Sequence, residues 1–137
     1  KGIRLSVSLH STDNDTRSQL MPINKTYPLE LLKNSLKHFS QAESLPVFLE
    51  YIMIAGFNMS GADARSLAEF VKDMDCKINL IPYNPSPFFD WKAPTEKEID
   101  TFRFALEEAG VFYWIRKSRG RDISAACGML PQTSFNG

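Results

Sequence analysis

Residues Val47 to Ile54 have the sequence VFLEYIMI, in which Glu50 is the single interruption of an apolar run. An apolar run of this length predicts a β-strand, and its lack of alternation predicts that both faces are buried. Strands of this kind occur in parallel sheets that are covered by helices. The rest of the chain is therefore expected to supply helices and neighbouring strands.

The residues before this strand predict one further strand and one helix. Ile3 to Leu9 alternate between apolar and polar side chains, which is the period of two expected of a strand. The polar stretch Ser11–Thr16 predicts turns and a helix cap. Pro28 then opens a helix with apolar residues at spacings of three, four and three: Leu29, Leu32, Leu36 and Phe39.

The residues after it predict two more helices and two more strands. They are a helix that starts at Ser60 or Gly61, a strand over Lys77–Tyr83, a helix with a capping box of Thr95 and Glu98 that ends at Gly110, and a strand over Val111–Ile115. Strands and helices thus alternate along the chain. This order predicts an α/β fold, with a parallel sheet and right-handed crossovers.

In such sheets, ligands bind at the carboxyl ends of the strands. The segments that follow the predicted strands are Leu9–Ser11, Ala55–Asn58, Pro82–Pro85 and Lys117–Gly120. Four strands are too few to close a barrel, which needs about eight. We therefore expect an arc with open edges, through which the isolated chain can self-associate.

The composition is that of an ordinary globular domain and excludes several classes of protein. Sixteen Lys and Arg balance sixteen Asp and Glu, so the net charge favours no partner. Two cysteines are too few for a disulfide scaffold and favour a reducing compartment. No apolar run approaches the roughly 18 to 20 residues that span a bilayer, so no membrane partner is expected. The chain begins without Met inside a predicted strand, which suggests a piece of a longer protein.

Three residues are candidates for ligand binding or for structural roles. His10 is either exposed to solvent at a strand end or a donor or acceptor for a ligand across the strand ends. Asn84 is either a turn former or a side chain that hydrogen-bonds an adenine or a ribose. Cys76 precedes an apolar strand and is interpreted as a buried structural thiol.

The C-terminal part carries two further candidates. Cys127 lies among small residues in the sequence DISAACG, where a ligand can approach the sulfur and nearby cations favour a thiolate; an inert thiol is the alternative. A nucleophilic pair of Cys127 with His10 or His38 has no support in the spacing. The second candidate is a basic run that forms either a solvated surface loop or a loop that contacts phosphates; its residues are Arg116, Lys117, Arg119 and Arg121.

Three segments occur together in a specific order and spacing. They are LSVSLH at Leu5–His10, followed by Arg17 and by Met21–Asn24; NLIPYNP at Asn79–Pro85; and RKSRGRDISAACGML at Arg116–Leu130. They resemble the SLHA…R…VPIN, NLIPFNP and RxxRGxDIxAACGQL motifs of the RlmN/Cfr family of radical S-adenosylmethionine (SAM) RNA methyltransferases.

The resemblance implies a fold and a set of binding residues. It makes residues 1–130 the C-terminal half of a partial radical SAM (β/α) barrel, and residues 131–137 a polar tail. The residues that match the family's S-adenosyl-L-methionine-binding positions are Ser8, Leu9, His10 and Asn84.

The resemblance also implies a reaction. In this family one S-adenosylmethionine methylates the cysteine that Cys127 matches, and a second is cleaved reductively at a 4Fe–4S cluster. The resulting 5′-deoxyadenosyl radical takes a hydrogen from that methyl group, and the new carbon radical adds to an adenine of 23S rRNA. The target is carbon 2 in RlmN-like members, some of which also modify tRNA, and carbon 8 in Cfr-like members. The implied setting is cytoplasmic, with an electron donor for the cluster.

This chain departs from the family pattern in what it lacks. The CxxxCxxC cluster motif, the glycine-glutamate cofactor motif and a second catalytic cysteine are absent, and in the family they precede the point where this chain begins. Met21 and Met129 stand where Val and Gln are usual. We therefore expect an RlmN-like enzyme as the whole protein and no activity from this chain alone. The alternatives are a non-catalytic half-barrel that binds a ligand or RNA, and an unrelated α/β domain with Cys127 as a thiol nucleophile.

Overall fold

A parallel β-sheet forms the centre of the protein. In the computed structural model, which describes residues 5–116, four strands lie in sequence order and each neighbouring pair is parallel. The strands are β1 Leu5–Ser8, β2 Val47–Met53, β3 Cys76–Pro82 and β4 Tyr113–Ile115. The predicted α/β fold with a parallel sheet is confirmed.

Helices connect the strands, as predicted. Those of the described residues are α1 Asn14–Leu20, α2 Leu29–Glu43, α3 Gly61–Val71 and α4 Glu96–Glu108, with a short 3₁₀ helix over Pro22–Lys25. Helix α4 starts at the predicted capping box, in which Thr95 and Glu98 cap each other's main-chain N–H groups. Helix α3 starts at a second box of the same kind, formed by Ser60 and Asp63.

Helix α1 was not predicted as an element, although its cap was. Asp13 lies at its N-terminus and accepts a hydrogen bond from the main-chain N–H of Thr16 at 2.9 Å. The helix has the sequence NDTRSQL, which is short and mostly polar, so it carries no apolar stripe that periodicity could reveal.

The last strand is shorter than predicted. Val111 donates its main-chain N–H to the carbonyl of Leu106 at 2.9 Å, and Gly110 before it has a φ of 80°. Val111 therefore belongs to the turn that ends α4, and strand pairing begins only at Tyr113, opposite Ile78.

The core lies on one face of the sheet, and this corrects the prediction that β2 is buried on both faces. Alternate residues of β2 are fully buried, whereas Phe48, Glu50 and Ile52 between them are only partly buried. Side chains from α2, α3 and α4 pack in the same core cluster as the buried face of β2. All three helices therefore cover that face, and among residues 5–116 the face that carries Glu50 is left open. This one-sided arrangement is the expected geometry of an arc cut from a barrel with its helices outside.

The sheet has two open edges within residues 5–116, as predicted. Strands β1 and β4 each pair with a single neighbour there. In the same part of the chain, no helix combines the length and apolar character needed to cross a membrane. The predictions for Lys117, Arg119, Arg121 and Cys127, and for the polar tail over 131–137, lie outside the described residues.

Candidate functional site

The turn that follows β1 has an unusual backbone conformation. His10 has a φ of 57°, in the left-handed region that residues other than glycine rarely adopt. Its main-chain N–H donates to the carbonyl of Glu50 at 3.3 Å, and the N–H of Leu9 donates to the same oxygen at 2.8 Å. The turn ends the strand and leaves His10 at the carboxyl edge of the sheet.

The ring of His10 completes the hydrogen bonding of β2. The main-chain N–H of Ile52 donates to Nδ1 of His10 at 3.0 Å, so the ring supplies the acceptor that a longer β1 would provide. Burial, followed by the positive charge of Arg17, lowers the pKa of His10 to about 4. The ring is therefore neutral at pH 7 and carries its hydrogen on Nε2. The interpretation of His10 as a solvent-exposed histidine is wrong, and the ring keeps one N–H donor for a ligand.

Asn58 joins the turn after β1 to the turn after β2. Its side chain is fully buried; Oδ1 accepts from the N–H of Ile54 at 2.9 Å, and Nδ2 donates to the carbonyls of His10 and Ile52 at 2.8 and 2.7 Å. The carbonyl of Asn58 accepts from the hydroxyl of Tyr51 at 2.6 Å, and burial raises the pKa of that phenol, so it stays protonated. The ends of β1 and β2 are thus fixed relative to each other.

Arg17 holds the same turn through hydrogen bonds from its guanidinium group. It is 4% exposed, and its guanidinium donates to the carbonyl of Leu9 through Nε and to the carbonyl of Ser8 through Nη2, both at 2.8 Å. A third bond, of 2.9 Å, runs from Nη1 to Oδ1 of Asn24, which is also buried. A planar cation held by three oxygens orients the two carbonyls that precede His10.

The neighbours of His10 have different surroundings. The side chain of Leu9 is fully buried in the core, so what this residue gives to the site is the position of its main chain. Ser8 is partly buried and lies opposite Glu50 in the β1–β2 register, on the open face. The assignment of Ser8, Leu9 and His10 to cofactor binding stays a prediction.

The open face carries a row of polar side chains. Ser8 aligns with Glu50, and Glu50 aligns with Asn79 on β3, so three polar residues from three strands lie side by side. All three are partly buried. Glu50 and Asn79 were not among the predicted site residues, although a lone carboxylate in an apolar strand is a signal that could have indicated Glu50.

Asn84 follows β3 at the same edge of the sheet. The N–H of Tyr83 donates to the carbonyl of Met53 at 3.0 Å, which extends the β2–β3 ladder to the residue before Asn84. Asn84 itself is exposed, and its role as a cofactor contact stays a prediction. The hydroxyl oxygen of Tyr83 is buried and has no hydrogen-bond partner among residues 5–116.

Cys76 lies at the opposite edge, where β3 begins. It is partly buried, and burial together with the charge of Asp75 raises the pKa of its thiol to about 11. A protonated thiol of this kind fits the structural role that was predicted for it. Within residues 5–116, no group of three or more His, Cys, Asp or Glu side chains is arranged to hold a metal ion. A 4Fe–4S cluster therefore does not fit this part of the chain.

Arg116 is the one residue of the predicted basic run that lies within residues 5–116, and it lies at the carboxyl edge of the sheet. The main-chain N–H of Arg116 donates to the carbonyl of Leu80 at 2.9 Å, directly after β4. The carboxyl edge thus brings together His10, Asn84 and the first residue of the basic run.

A cavity of about 710 Å³ lies at the same end of the sheet, between the turn after β2 and the starts of α3 and α4. Asp63 and Glu98 line it, but both carboxylates are engaged in the capping boxes of those helices. These two carboxylates therefore serve the helices, and we place the candidate site at the ends of β1 and β3, where His10 and Asn84 lie.

The chain is similar to curated RNA methyltransferases along nearly its whole length. It is 45% identical over 128 residues to the dual-specificity RNA methyltransferase RlmN of Desulfotalea psychrophila, which covers 93% of this chain and 35% of the relative. It is 41% identical over 134 residues to the protein of the same name from Gluconobacter oxydans, which covers 97% of this chain and 33% of the relative. The chain thus spans about a third of the length of these relatives. No family model matches it.

Solved structures give the same result. A radical SAM methyltransferase from Sphaerobacter thermophilus superposes with a TM-score of 0.85 at 38% identity, covering 93% of this chain and 37% of that one. A domain of a pyruvate-formate lyase-activating enzyme from Bacteroides vulgatus superposes with a TM-score of 0.66 at 22% identity, covering 82% of this chain and 66% of that one. The second likeness concerns the fold alone.

Proposed function

The chain belongs to the RlmN/Cfr family of radical SAM RNA methyltransferases, and on that premise we propose that it is the C-terminal part of an enzyme that methylates carbon 2 of adenine in 23S rRNA and in tRNA. The observation that carries the proposal is the identity of 41 to 45% over nearly the whole chain with relatives named for dual-specificity RNA methylation. We place the enzyme in the cytoplasm, with an electron donor as a further partner.

S-adenosyl-L-methionine, when bound, supplies the methyl group and the radical chemistry of this family. Two features at the carboxyl edge fit such a polar ligand. The neutral ring of His10 retains an N–H donor, and the buried hydroxyl of Tyr83 lacks a partner among residues 5–116. We propose that Ser8, Leu9, His10 and Asn84 hold the cofactor, Leu9 through its main chain. The 4Fe–4S cluster is ligated by residues outside this chain.

Within this proposal, Cys127 carries the methyl group to the adenine. Carbon 2 of adenine is electrophilic, so an ordinary cationic methyl donor does not alkylate it, whereas a carbon radical on a tethered thioether adds there. The protein has to position the base and exclude water. Small neighbours of Cys127, Ala125 and Ala126 before it and Gly128 after it, leave room for an incoming base. The basic run after Ile115 holds phosphates, which positions RNA without identifying its sequence.

The test is the replacement of Cys127 in the full-length protein. Mass spectrometry of nucleosides from 23S rRNA and from tRNA should detect 2-methyladenosine with the wild-type enzyme and none with Cys127→Ala. The matched control is Cys76→Ala, which removes a thiol at the opposite edge of the sheet and should leave the product unchanged. A normal yield from Cys127→Ala would refute the role of this cysteine, and 8-methyladenosine from the wild-type enzyme would correct the target to carbon 8.

A further inference from the structure

The loop between β3 and α4 carries exposed aromatic side chains at the carboxyl edge. Phe88 is 83% exposed and Phe89 is 53% exposed, whereas large aromatic rings are normally covered. Contiguous exposed apolar groups of this kind mark interaction sites.

The ring of Phe89 is held in a defined arrangement. The ring of Phe89 stacks on the ring of Trp91 with centroids 4.3 Å apart and planes within 3° of parallel. Trp91 in turn packs edge-on against Tyr83 at 5.9 Å and contacts Phe57 at 6.0 Å. One face of Phe89 is therefore occupied by Trp91, and its exposure lies on the other side.

The backbone of the loop is anchored at both ends. The N–H of Tyr83 donates to the carbonyl of Met53 at one end, and the N–H of Ala55 donates to the carbonyl of Lys92 at 3.0 Å at the other. Pro85 and Pro87 restrict the backbone between these anchors. The aromatic rings are thus presented on a loop that loses little conformational freedom when a partner binds.

We propose that Phe88 and Phe89, backed by Trp91, form a stacking platform for an unpaired base of the RNA substrate, an inference that rests on the proposed function. Flat aromatic rings bind unpaired bases through their π-faces, with little sequence preference. The platform lies four residues after Asn84, and Arg116, where the basic run begins, is at the same sheet edge. A cation at the same sheet edge as an aromatic platform complements a phosphate backbone, and this combination favours a nucleotide over an apolar protein segment.

The experiment compares the full-length wild-type protein with the double variant Phe88→Leu/Phe89→Leu. Leucine keeps apolar bulk on the loop and removes the π-faces. The control is Phe104→Leu, because Phe104 is 63% exposed on α4, away from the loop. The probes are an RNA hairpin with 2-aminopurine in its loop and a fully paired RNA duplex of equal length.

The platform predicts that the double variant binds the hairpin about 5- to 150-fold more weakly and no longer quenches 2-aminopurine. Binding to the duplex, and the dependence of log K on log salt, should not change, because no cation is removed. Phe104→Leu should behave as wild type. The single variant Phe88→Leu, at the more exposed position, provides the same test if the double variant unfolds.

Unchanged hairpin affinity and quenching in a folded double variant would overturn the platform. A change in oligomeric state or in thermal stability, with RNA binding intact, would instead assign the loop to contact with a second copy or with the rest of the protein. If the wild-type protein methylates RNA while the double variant binds normally, the platform alone fails. If the wild-type protein neither binds nor methylates RNA, the proposed function fails as well.

Discussion

Asn58 and His10 are 48 residues apart in the sequence and are joined by a hydrogen bond of 2.8 Å from Nδ2 of Asn58 to the carbonyl of His10. The bond crosses from the turn after β2 to the turn after β1. It helps to hold His10 in the left-handed conformation, which is energetically unfavourable for a residue other than glycine. The position of His10, a proposed cofactor-binding residue, therefore depends on a buried amide from the turn after the neighbouring strand.

Replacement of this amide should destabilise the protein strongly. Asn58→Ala leaves the N–H of Ile54 and the carbonyls of His10 and Ile52 without their partner in a fully buried place. We expect the free energy of unfolding to fall by about 3 kcal/mol, measured by urea unfolding of the full-length protein. Asn34→Ala, an exposed position on α2, should change it by less than about 0.5 kcal/mol. Equal effects of the two substitutions would contradict the role given to Asn58.

His10 should make stability depend on pH below neutrality. The folded protein holds the pKa of His10 at about 4, whereas the unfolded chain has a value near 6.5, so the unfolded state binds the proton more readily. The contribution is therefore fully present above pH 6.5 and is lost as the pH falls toward 4. The total loss is about 3 kcal/mol.

The matched variant for this measurement is His10→Asn. Asparagine tolerates a positive φ, and its Oδ1 can accept from Ile52 in place of Nδ1, but it does not titrate in this range. The unfolding free energy of the wild type minus that of the variant should decrease as the pH falls from 6.5 to 4. A constant difference for His10→Asn would mean that folding does not shift the pKa of His10.

The fold could be predicted from the sequence because its signals are local. Apolar runs and caps fixed β2, β3 and α4 to within about a residue, since each depends on side chains within one element. The one-sided burial of β2 could not be predicted in this way. It depends on where the helices of residues 5–116 pack, which is on the face opposite Glu50, and a strand of VFLEYIM fits either environment.

The candidate site was predictable where it follows strand ends, and not where it depends on contacts across the sheet. The rule that ligands bind at carboxyl edges located His10 and Asn84. The roles of Arg17 and Asn58 depend on carbonyls that only the folded chain brings to them. Arg17 belongs to a motif noted in the sequence, but nothing in that motif indicates a buried cation.

Arg17 should not be replaceable by lysine. Its guanidinium donates to three oxygens at 2.8 to 2.9 Å, and burial lowers its pKa. An ammonium group carries its three donors on one nitrogen and cannot span these acceptors. We expect Arg17→Lys to lower the free energy of unfolding by about 2 kcal/mol, and Arg17→Met by about 3 kcal/mol or more.

The control for Arg17 is an arginine at the surface. Arg65 lies exposed on α3, so Arg65→Met should change stability by less than about 0.5 kcal/mol. Thermal or urea unfolding of the full-length variants measures these changes in stability. A wild-type stability for Arg17→Lys would mean that charge alone, without the planar fork, supports the turn.

The basic run should contribute to RNA binding through phosphates. The variant with Arg116, Lys117, Arg119 and Arg121 all changed to Gln should bind RNA more weakly, and to a similar degree for different sequences. Each lost phosphate contact should reduce the slope of log K against log salt by about 1. The control changes Lys33 and Lys37 to Gln, because these cations lie on α2 and do not belong to the basic run. Filter binding between about 50 and 200 mM salt measures the slope. An unchanged slope for the fourfold variant would return the run to a solvated surface loop, since cations that touch no phosphate release no counterions.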